Sequence, residues 1–248
     1  MLRSAGRLAR HALRRFGIDV ARYEPVPPHL RRRARLLSRF APSVVLDVGA
    51  NSGIYGRELR ACGYAGRIVS FEPLPSAFEA LSGVAAADGA WEAHPVALSS
   101  TEGERTLFRS GNSWSSSLHD MDERHLRVAP DSAYVGAEAV KTITLDSLFG
   151  RLVRPGERAW LKIDTQGHED AVLAGAAASL PRIETVEIEM SLLPLYAGQV
   201  LFPELYAWLT DAGFTCLDLQ PNLLDPQSEE LLAVDGIFRR ADGGTRAG

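Results

Sequence analysis

The spacing of apolar residues divides the chain near residue 43. Ahead of that point Leu2, Leu8, Leu13 and Phe16 recur at helical spacing and can share one side of a short helix that Gly17 ends. Pro25, Pro27 and Pro28 mark a linker, and a second basic helix is predicted over 29–40, closed by Pro42. Beyond it, Val44-Val45-Leu46-Asp47-Val48 is short, apolar and β-branched, the pattern of a strand buried on both faces. A tight turn at 49–53 leads into a helix over 54–62. The unit then repeats as strand 67–71, helix 76–86 and strand 91–98. Such alternation predicts a parallel sheet with right-handed crossovers.

The rhythm then breaks. A short strand is predicted at 105–109, and residues 110–137 read as polar and irregular, with Ser115, Ser116 and Ser117 near their start. A loop of that length in a compact domain is usually functional or mobile. A strand at 140–144 and a helical turn at 145–149 follow. Alternation resumes with strand 159–164 and helix 167–178, whose first turn carries Glu169 and Asp170, where the helix dipole favours anions. Strand 183–190 and helix 202–212 come next. Strands 214–219 and 231–239 are expected to close the sheet as an antiparallel pair at its edge. The fold class is therefore α/β, a doubly wound Rossmann-like sheet, mostly parallel, with an antiparallel C-terminal edge pair and an N-terminal helical extension.

Of the 248 residues, 46% are hydrophobic, enough for one large core. The net charge of −4 leaves no footprint for nucleic acid over the whole chain, so no nucleic-acid partner is expected. The charge is uneven. Residues 1–40 are rich in arginine and hold only Asp19 and Glu24 as acids, which suggests an arm for peripheral membrane or protein contact. That start lacks the apolar region of a secretory signal. It is Arg-rich and acid-poor, as mitochondrial presequences are, but reads more simply as a basic amphipathic cap helix. No apolar run reaches bilayer length. Cys62 and Cys216, without metal-ligand spacing, read as buried free thiols, and a cytoplasmic location is expected.

Candidate chemistry begins at Asp47-Val48-Gly49-Ala50-Asn51-Ser52-Gly53, between an apolar strand and a helix. Glycines there let the backbone approach a ligand, and the helix start presents free N–H groups. Ligands of open α/β sheets bind at this carboxyl edge. Asn51 and Ile54 occupy the later glycine positions of the dinucleotide fingerprint, and no Gly-Lys-Ser/Thr follows as in a P-loop. Alone, the segment could be an ordinary tight turn. Glu72, at the end of the second strand, adds a carboxylate beside it that can accept both hydroxyl protons of a ribose. The pair points to a nucleoside ligand.

These residues resemble a family. The 47–53 segment, Phe71-Glu72-Pro73 and Ala97-Leu98-Ser99 are similar to the cofactor motifs of the FkbM-like methyltransferases. Leu161-Lys162-Ile163-Asp164-Thr165-Gln166-Gly167-His168-Glu169 resembles the family's motif after its fourth strand. Glu187-Ile188-Glu189-Met190, Leu195-Tyr196 and Asp235-Gly236 also fit. The resemblance covers roughly residues 43–240 and leaves the basic start outside. It implies S-adenosylmethionine as cofactor, with Asp47, Gly49, Asn51 and Gly53 around the methionine part, Glu72 on the ribose, and Ala97, Leu98 and Ser99 bordering the adenine. It further implies methylation of a hydroxyl on a small molecule, sugar or polyketide-like acceptor. The expected partition is an extension over 1–42, a methyltransferase domain over 43–240 and a flexible tail over 241–248.

Removing a hydroxyl proton calls for a base. Asp164 ends a strand beside the cofactor turn, with capping of the helix at 167 as the alternative. Glu189 ends the next strand. His168 could serve with a ring pKa near working pH, or could be a partly exposed first-turn histidine without a role. Two carboxylates at adjacent strand ends could also hold Mg²⁺, but two do not make a full ligand set, so no metal is expected. Trp114 and Ser116 could line an acceptor pocket, with Tyr196 opposite, although packing explains the aromatic residues equally. His119 and His125 read as solvated loop histidines and His94 as structural. Lys162, inside an apolar strand, reads as a carboxylate partner or an edge-facing structural lysine. Two other functions suit the same sheet. A nicotinamide-dependent oxidoreductase is disfavoured by Asn51 and Ile54. A noncatalytic nucleoside-binding module recruiting partners through its basic arm is disfavoured by Asp164 and Glu189.

Overall fold

Strand β1 (Val44–Val48) is buried along its whole length, which its apolar, β-branched composition requires. It pairs in parallel with β2 (Arg67–Phe71) on one side and β7 (Ala159–Ile163) on the other. The computed structural model describes residues 30–241 and, ahead of them, residues 14, 15, 17, 26 and 27. The helix expected through residue 16, apart from Arg14 and Arg15, and the tail after Ala241 lie outside the described residues.

With β3 (Trp91–His94), β8 (Ile183–Ser191), β9 (Phe214–Leu224) and β10 (Leu231–Arg240), the main sheet has the order β3-β2-β1-β7-β8-β10-β9. Period-two alternation sends Val44, Leu46, Val48, Leu161 and Ile163 to one face. There they pack against α5 (Leu145–Leu152), α6 (Glu169–Ala174) and α7 (Phe202–Asp211). Val45, Ile68, Trp160 and Ile237 face the opposite layer. That layer is α1 (Arg31–Phe40), α2 (Ile54–Ala61) and α3 (Pro75–Ala86). Among the described residues no helix is long and apolar enough to cross a membrane.

The last two strands close the sheet at its edge as the expected antiparallel pair. β10 lies between β8 and β9 and runs antiparallel to both, so it alone opposes the sheet. Its buried residues Leu232, Ala233, Val234, Ile237 and Phe238 need cover on both sides, whereas β9 is largely open to solvent. The strand expected over 91–98 breaks at Pro95, which has no N–H to donate to a ladder. Ala97–Leu98 becomes β4 of a second, three-stranded sheet with the longer strands β5 (Gly103–Ser110) and β6 (Tyr134–Ile143), in the order β4-β6-β5. The segment 110–137 is not irregular throughout. It contains α4 (Glu123–Val128), capped by Asp122, a helix too short to leave a clear periodicity. α6 stops at Ala174, well before 178, and in the turns beyond it the Asp146 carboxylate takes the N–H groups of Ala178 and Ser179. Cys62 and Cys216 are free but only half-buried, at the margins of the two core layers.

Candidate active site

A cleft of about 540 Å³ opens at the carboxyl ends of β1, β2, β7 and β8. The chain reaches it by close backbone contact. Gly49 has a φ of +77°, and a Cβ there would collide with the Asp164 carbonyl oxygen. Only glycine lets the β1 and β7 turns close on each other in this way. Gly49 and Ala50 both donate their N–H to Phe71 O at 3.1 Å, drawing the β2 end to the same point.

Asn51, at φ +46°, ties three pieces together. Its N–H donates to Glu72 Oε2 at 2.8 Å, and its side-chain amide donates to Ser113 O and Oγ at 3.2 and 3.3 Å. The other Glu72 oxygen accepts the Leu74 N–H at 2.8 Å. Burial raises the Glu72 pKa to about 7, against the lowering effect of the Leu74 and Asn51 N–H groups. Ala97 and Leu98 line the cleft beside Phe71 and Pro73. Ser99 is fully buried behind them and bonds His168, so its hydroxyl does not face the cleft. Gly53 packs over the Trp91 ring at the head of α2, and Asp47 is fully buried; neither lines the cleft.

Asp47 shares one face of the sheet with its strand neighbours Ser70 and Lys162, because each sits in register with it. Ser70 Oγ donates to Asp47 Oδ2 at 3.0 Å, and Lys162 Nζ lies 3.6 Å from Oδ1 and 3.3 Å from Asp164 Oδ2. Burial alone would lower the Lys162 pKa, but Asp164 and Asp47 outweigh it and keep the ammonium charged. Lys162 is thus a buried carboxylate partner.

From Asp164 the carboxylates are joined by amides. Gln166 Nε2 donates to Asp164 Oδ1 and to Glu189 Oε2, both at 2.8 Å. Asn222 Nδ2 donates to Glu189 Oε1 at 2.8 Å and to Asp235 Oδ1 at 3.0 Å. All five residues line the cleft. Burial, then Asp164, Glu169 and Asp235, push the Glu189 pKa well above the usual carboxylate range. Burial, then Asp164 and Glu187, raise that of Asp235 to about 7. Gln166 itself sits at φ +56° and is held from every side. Tyr196 donates to its Oε1 at 2.7 Å, and Ser117 Oγ donates to its carbonyl at 2.5 Å. Asp164 does not cap the following helix. Glu169 takes the N–H groups of Thr165 and Gly167 instead, and burial raises its pKa to about 7.

His168 is buried, not partly exposed, and stands in a chain of fixed direction. The Ala197 carbonyl can only accept, so His119 Nδ1 donates to it at 3.1 Å. His119 Nε2 then accepts from His168 Nδ1 at 3.0 Å, and His168 Nε2 accepts from Ser99 Oγ at 2.9 Å. Burial, aided by His119 and Arg105, lowers the His168 pKa to about 4. The expectation of a solvated loop histidine fails for His125, which is buried against the edge of Tyr196, whereas His119 is half-buried. Trp114 and Ser116 line the cleft, with Trp114 64% exposed at its mouth. Tyr196 is buried behind the wall and reaches the site through Gln166. Among the described residues no group of three histidine, cysteine or carboxylate side chains is arranged to hold a metal ion.

Residues 47–216 match the model of the methyltransferase FkbM domain family, more than half of the chain. The chain belongs to the FkbM methyltransferase family. That membership selects methyl transfer over hydride transfer or noncatalytic binding. No curated protein matches the chain. Among solved structures it is similar to an rRNA methylase from Streptococcus thermophilus, at 13% identity over 90% of this chain and 100% of that one, with a TM-score of 0.47. It is also similar to the magnesium protoporphyrin IX methyltransferase of Synechocystis, solved with bound SAM, at 9% identity over 86% of this chain and 78% of that one, with a TM-score of 0.46. A precorrin-6y C5,15-methyltransferase from Geobacter metallireducens matches at 13% identity over 89% and 93%, with a TM-score of 0.41.

The FkbM domain's site also contains residues to which sequence reasoning gave no role of their own: Gln166, Asn222, Asp235 and the Arg33–Glu187 pair. One signal was present. Asp47, Ser70, Lys162, Glu187, Glu189 and Asp235 are polar positions within strands, and their register places them on one face.

Proposed function

We propose that this chain moves a methyl group from S-adenosylmethionine to a hydroxyl oxygen of a small-molecule, sugar or polyketide-like acceptor. The observation that carries the reading is Glu72. Each of its oxygens accepts one backbone N–H, from Asn51 and from Leu74, which orients the carboxylate and leaves a lone pair on each for the two hydroxyls of a ribose. Gly49, Ala50 and Asn51 border the methionine part, and Phe71, Ala97 and Leu98 offer an apolar wall to the adenine. Asp47 and Gly53 support this turn from behind.

S-adenosylmethionine, when bound, supplies a methyl group on a positively charged sulfur. The chain's contribution is position and charge. Asp164, with Glu189 joined to it through Gln166, sets an acidic wall where a sulfonium and an acceptor hydroxyl meet. With both ring nitrogens engaged, His168 ties the turn after β7 to Ser99 and His119. Mg²⁺ is not part of the reading. The acidic character of that wall disfavours a phosphate backbone, which supports a small or glycan acceptor over nucleic acid. Trp114 and Ser116 at the mouth suit the apolar face and hydroxyls of a sugar ring. Arg35 and Arg39 stay exposed on α1 and extend the basic arm toward an anionic membrane or a protein partner. Two free cysteines accord with a cytoplasmic site of action.

Titration calorimetry with S-adenosylhomocysteine and with NAD tests the cofactor. Binding of the former in the micromolar range, with NAD far weaker, is expected. Preference for NAD rejects the reading. Mass spectrometry of hydroxyl acceptors incubated with methyl-labelled S-adenosylmethionine then locates the transferred group.

A further inference from the structure

The proton of the acceptor hydroxyl has to go somewhere, and hydrogen-bond bookkeeping narrows the choice. Asp164 has Oδ1 on Gln166 and Oδ2 on Lys162. Glu189 has Oε1 on Asn222 and Oε2 on Gln166. His168 uses both ring nitrogens within the chain from Ser99 to Ala197. A group already accepting from a donor on each basic atom is a poorer proton acceptor than one with a free atom. Asp235 is different. Its Oδ1 accepts from Asn222, but Oδ2 has no hydrogen-bond or ion-pair partner and is not among the buried orphan atoms. Asp235 lines the cleft, so that oxygen is open to it.

We infer that Asp235 Oδ2 is the proton acceptor for the substrate hydroxyl, and that Asn222 aims it. The inference rests on the methyl-transfer reading above. In the step, the acceptor oxygen forms its bond to the methyl carbon as the carbon–sulfur bond breaks, with that electron pair passing to sulfur. The hydroxyl proton moves to Oδ2, and the carboxylic acid later loses it to solvent. The surroundings suit this role. Lys162 from β7 and Asp164 just after it, Glu187 and Glu189 from β8, and Asn222 from β9 face Asp235, while Arg33 of α1 is held by Glu187 and Glu58 and Tyr55 of α2 donates to Glu187. Burial and the carboxylates outweigh Lys162 and bring Asp235 to about 7, where a base works best at neutral pH. Glu189 becomes a hub that spaces Asp164 from Asp235.

The test uses the full chain loaded with S-adenosylhomocysteine and labelled with ¹³C at the aspartate carboxyls. A resonance titrating near neutral pH should be present in the wild type and absent in Asp235→Asn. The variant should bind S-adenosylhomocysteine within about threefold of wild type, since Asp235 is not on the cofactor side. Methyl α-D-glucopyranoside serves as hydroxyl probe, and its methylation should fall by about 100-fold or more in the variant. If Asp235→Asn does not fold, Asn222→Ala replaces it. Losing that N–H donor should move the Asp235 midpoint upward. Titration of Asp235 in the ordinary carboxylate range, an unmoved midpoint in Asn222→Ala, or unchanged probe turnover in Asp235→Asn overturns the assignment. Where the glucopyranoside is not methylated, the hydroxyl acceptor located by mass spectrometry as above takes its place, and unchanged turnover of it in Asp235→Asn overturns the assignment. Failure of the wild type to bind S-adenosylhomocysteine instead defeats the cofactor reading.

Discussion

Arg33 on α1 donates from Nε and Nη2 to a single oxygen of Glu187 on β8, at 3.0 and 2.8 Å. The other Glu187 oxygen accepts from Tyr55 Oη at 2.7 Å and Trp160 Nε1 at 3.1 Å. The helix that carries Arg33 also buries Leu36 and Leu37 against the sheet. Its place is therefore structural, whatever the remaining arginines touch. Removing the guanidinium leaves a carboxylate 5% exposed without its cation. Arg33→Ala should cost about 3–5 kcal/mol, and Glu187→Gln in the same chain should restore part of it. Denaturant melts of the two single variants and the double variant read this directly. Additive losses would mean that the two residues do not act as a pair.

Glu72→Gln should weaken S-adenosylhomocysteine binding by at least about tenfold, because charged hydrogen bonds contribute about 1.5–3 kcal/mol each. The wild type adds a pH dependence. With the carboxyl raised to about 7, its ionised, ribose-accepting form is lost as pH falls below that value. Affinity should drop on acidification in the wild type and stay flat in the variant. Parallel pH profiles in the two proteins would place the ribose elsewhere.

His168 titrates at about 4 in the folded protein against an ordinary value of 6.5. A depressed folded value means that the neutral ring stabilises the fold at pH above 6.5, and that this stability is lost as pH falls toward 4. The full effect is roughly 3 kcal/mol. His168→Gln keeps a donor and an acceptor but cannot take up the proton. Between pH 7.5 and 4.5 the wild type should therefore lose melting temperature faster than the variant. Equal slopes would show that the ring does not resist protonation.

Gly49→Ala tests the contact between the β1 and β7 turns. The φ of +77° costs an L-residue about 1–2 kcal/mol, and the collision with the Asp164 carbonyl adds to it. Reduced stability is expected together with lost cofactor binding, since the turn cannot move without shifting Asp164. A variant with normal melting and normal binding would show that the two turns are free to separate.

The chain's local patterns determined much of this protein. The short β-branched apolar runs at 44–48 and 159–163 and the mixed run at 183–190 read as strands, and the 47–53 turn with Glu72 behind the next strand carried the cofactor expectation. These signals are contiguous, so periodicity and turn chemistry suffice to read them. Tertiary structure alone decided the rest. The insertion of β10 between β8 and β9 sets Asp235 opposite Glu189, and the long β9 brings Asn222 to bridge them. The chain through His119 and His168 joins residues 49 apart in sequence. Period two tells which face a strand residue occupies but not which strand lies beside it. A hydrogen-bond partner across that gap is set by register and chain path, which no local run of residues encodes.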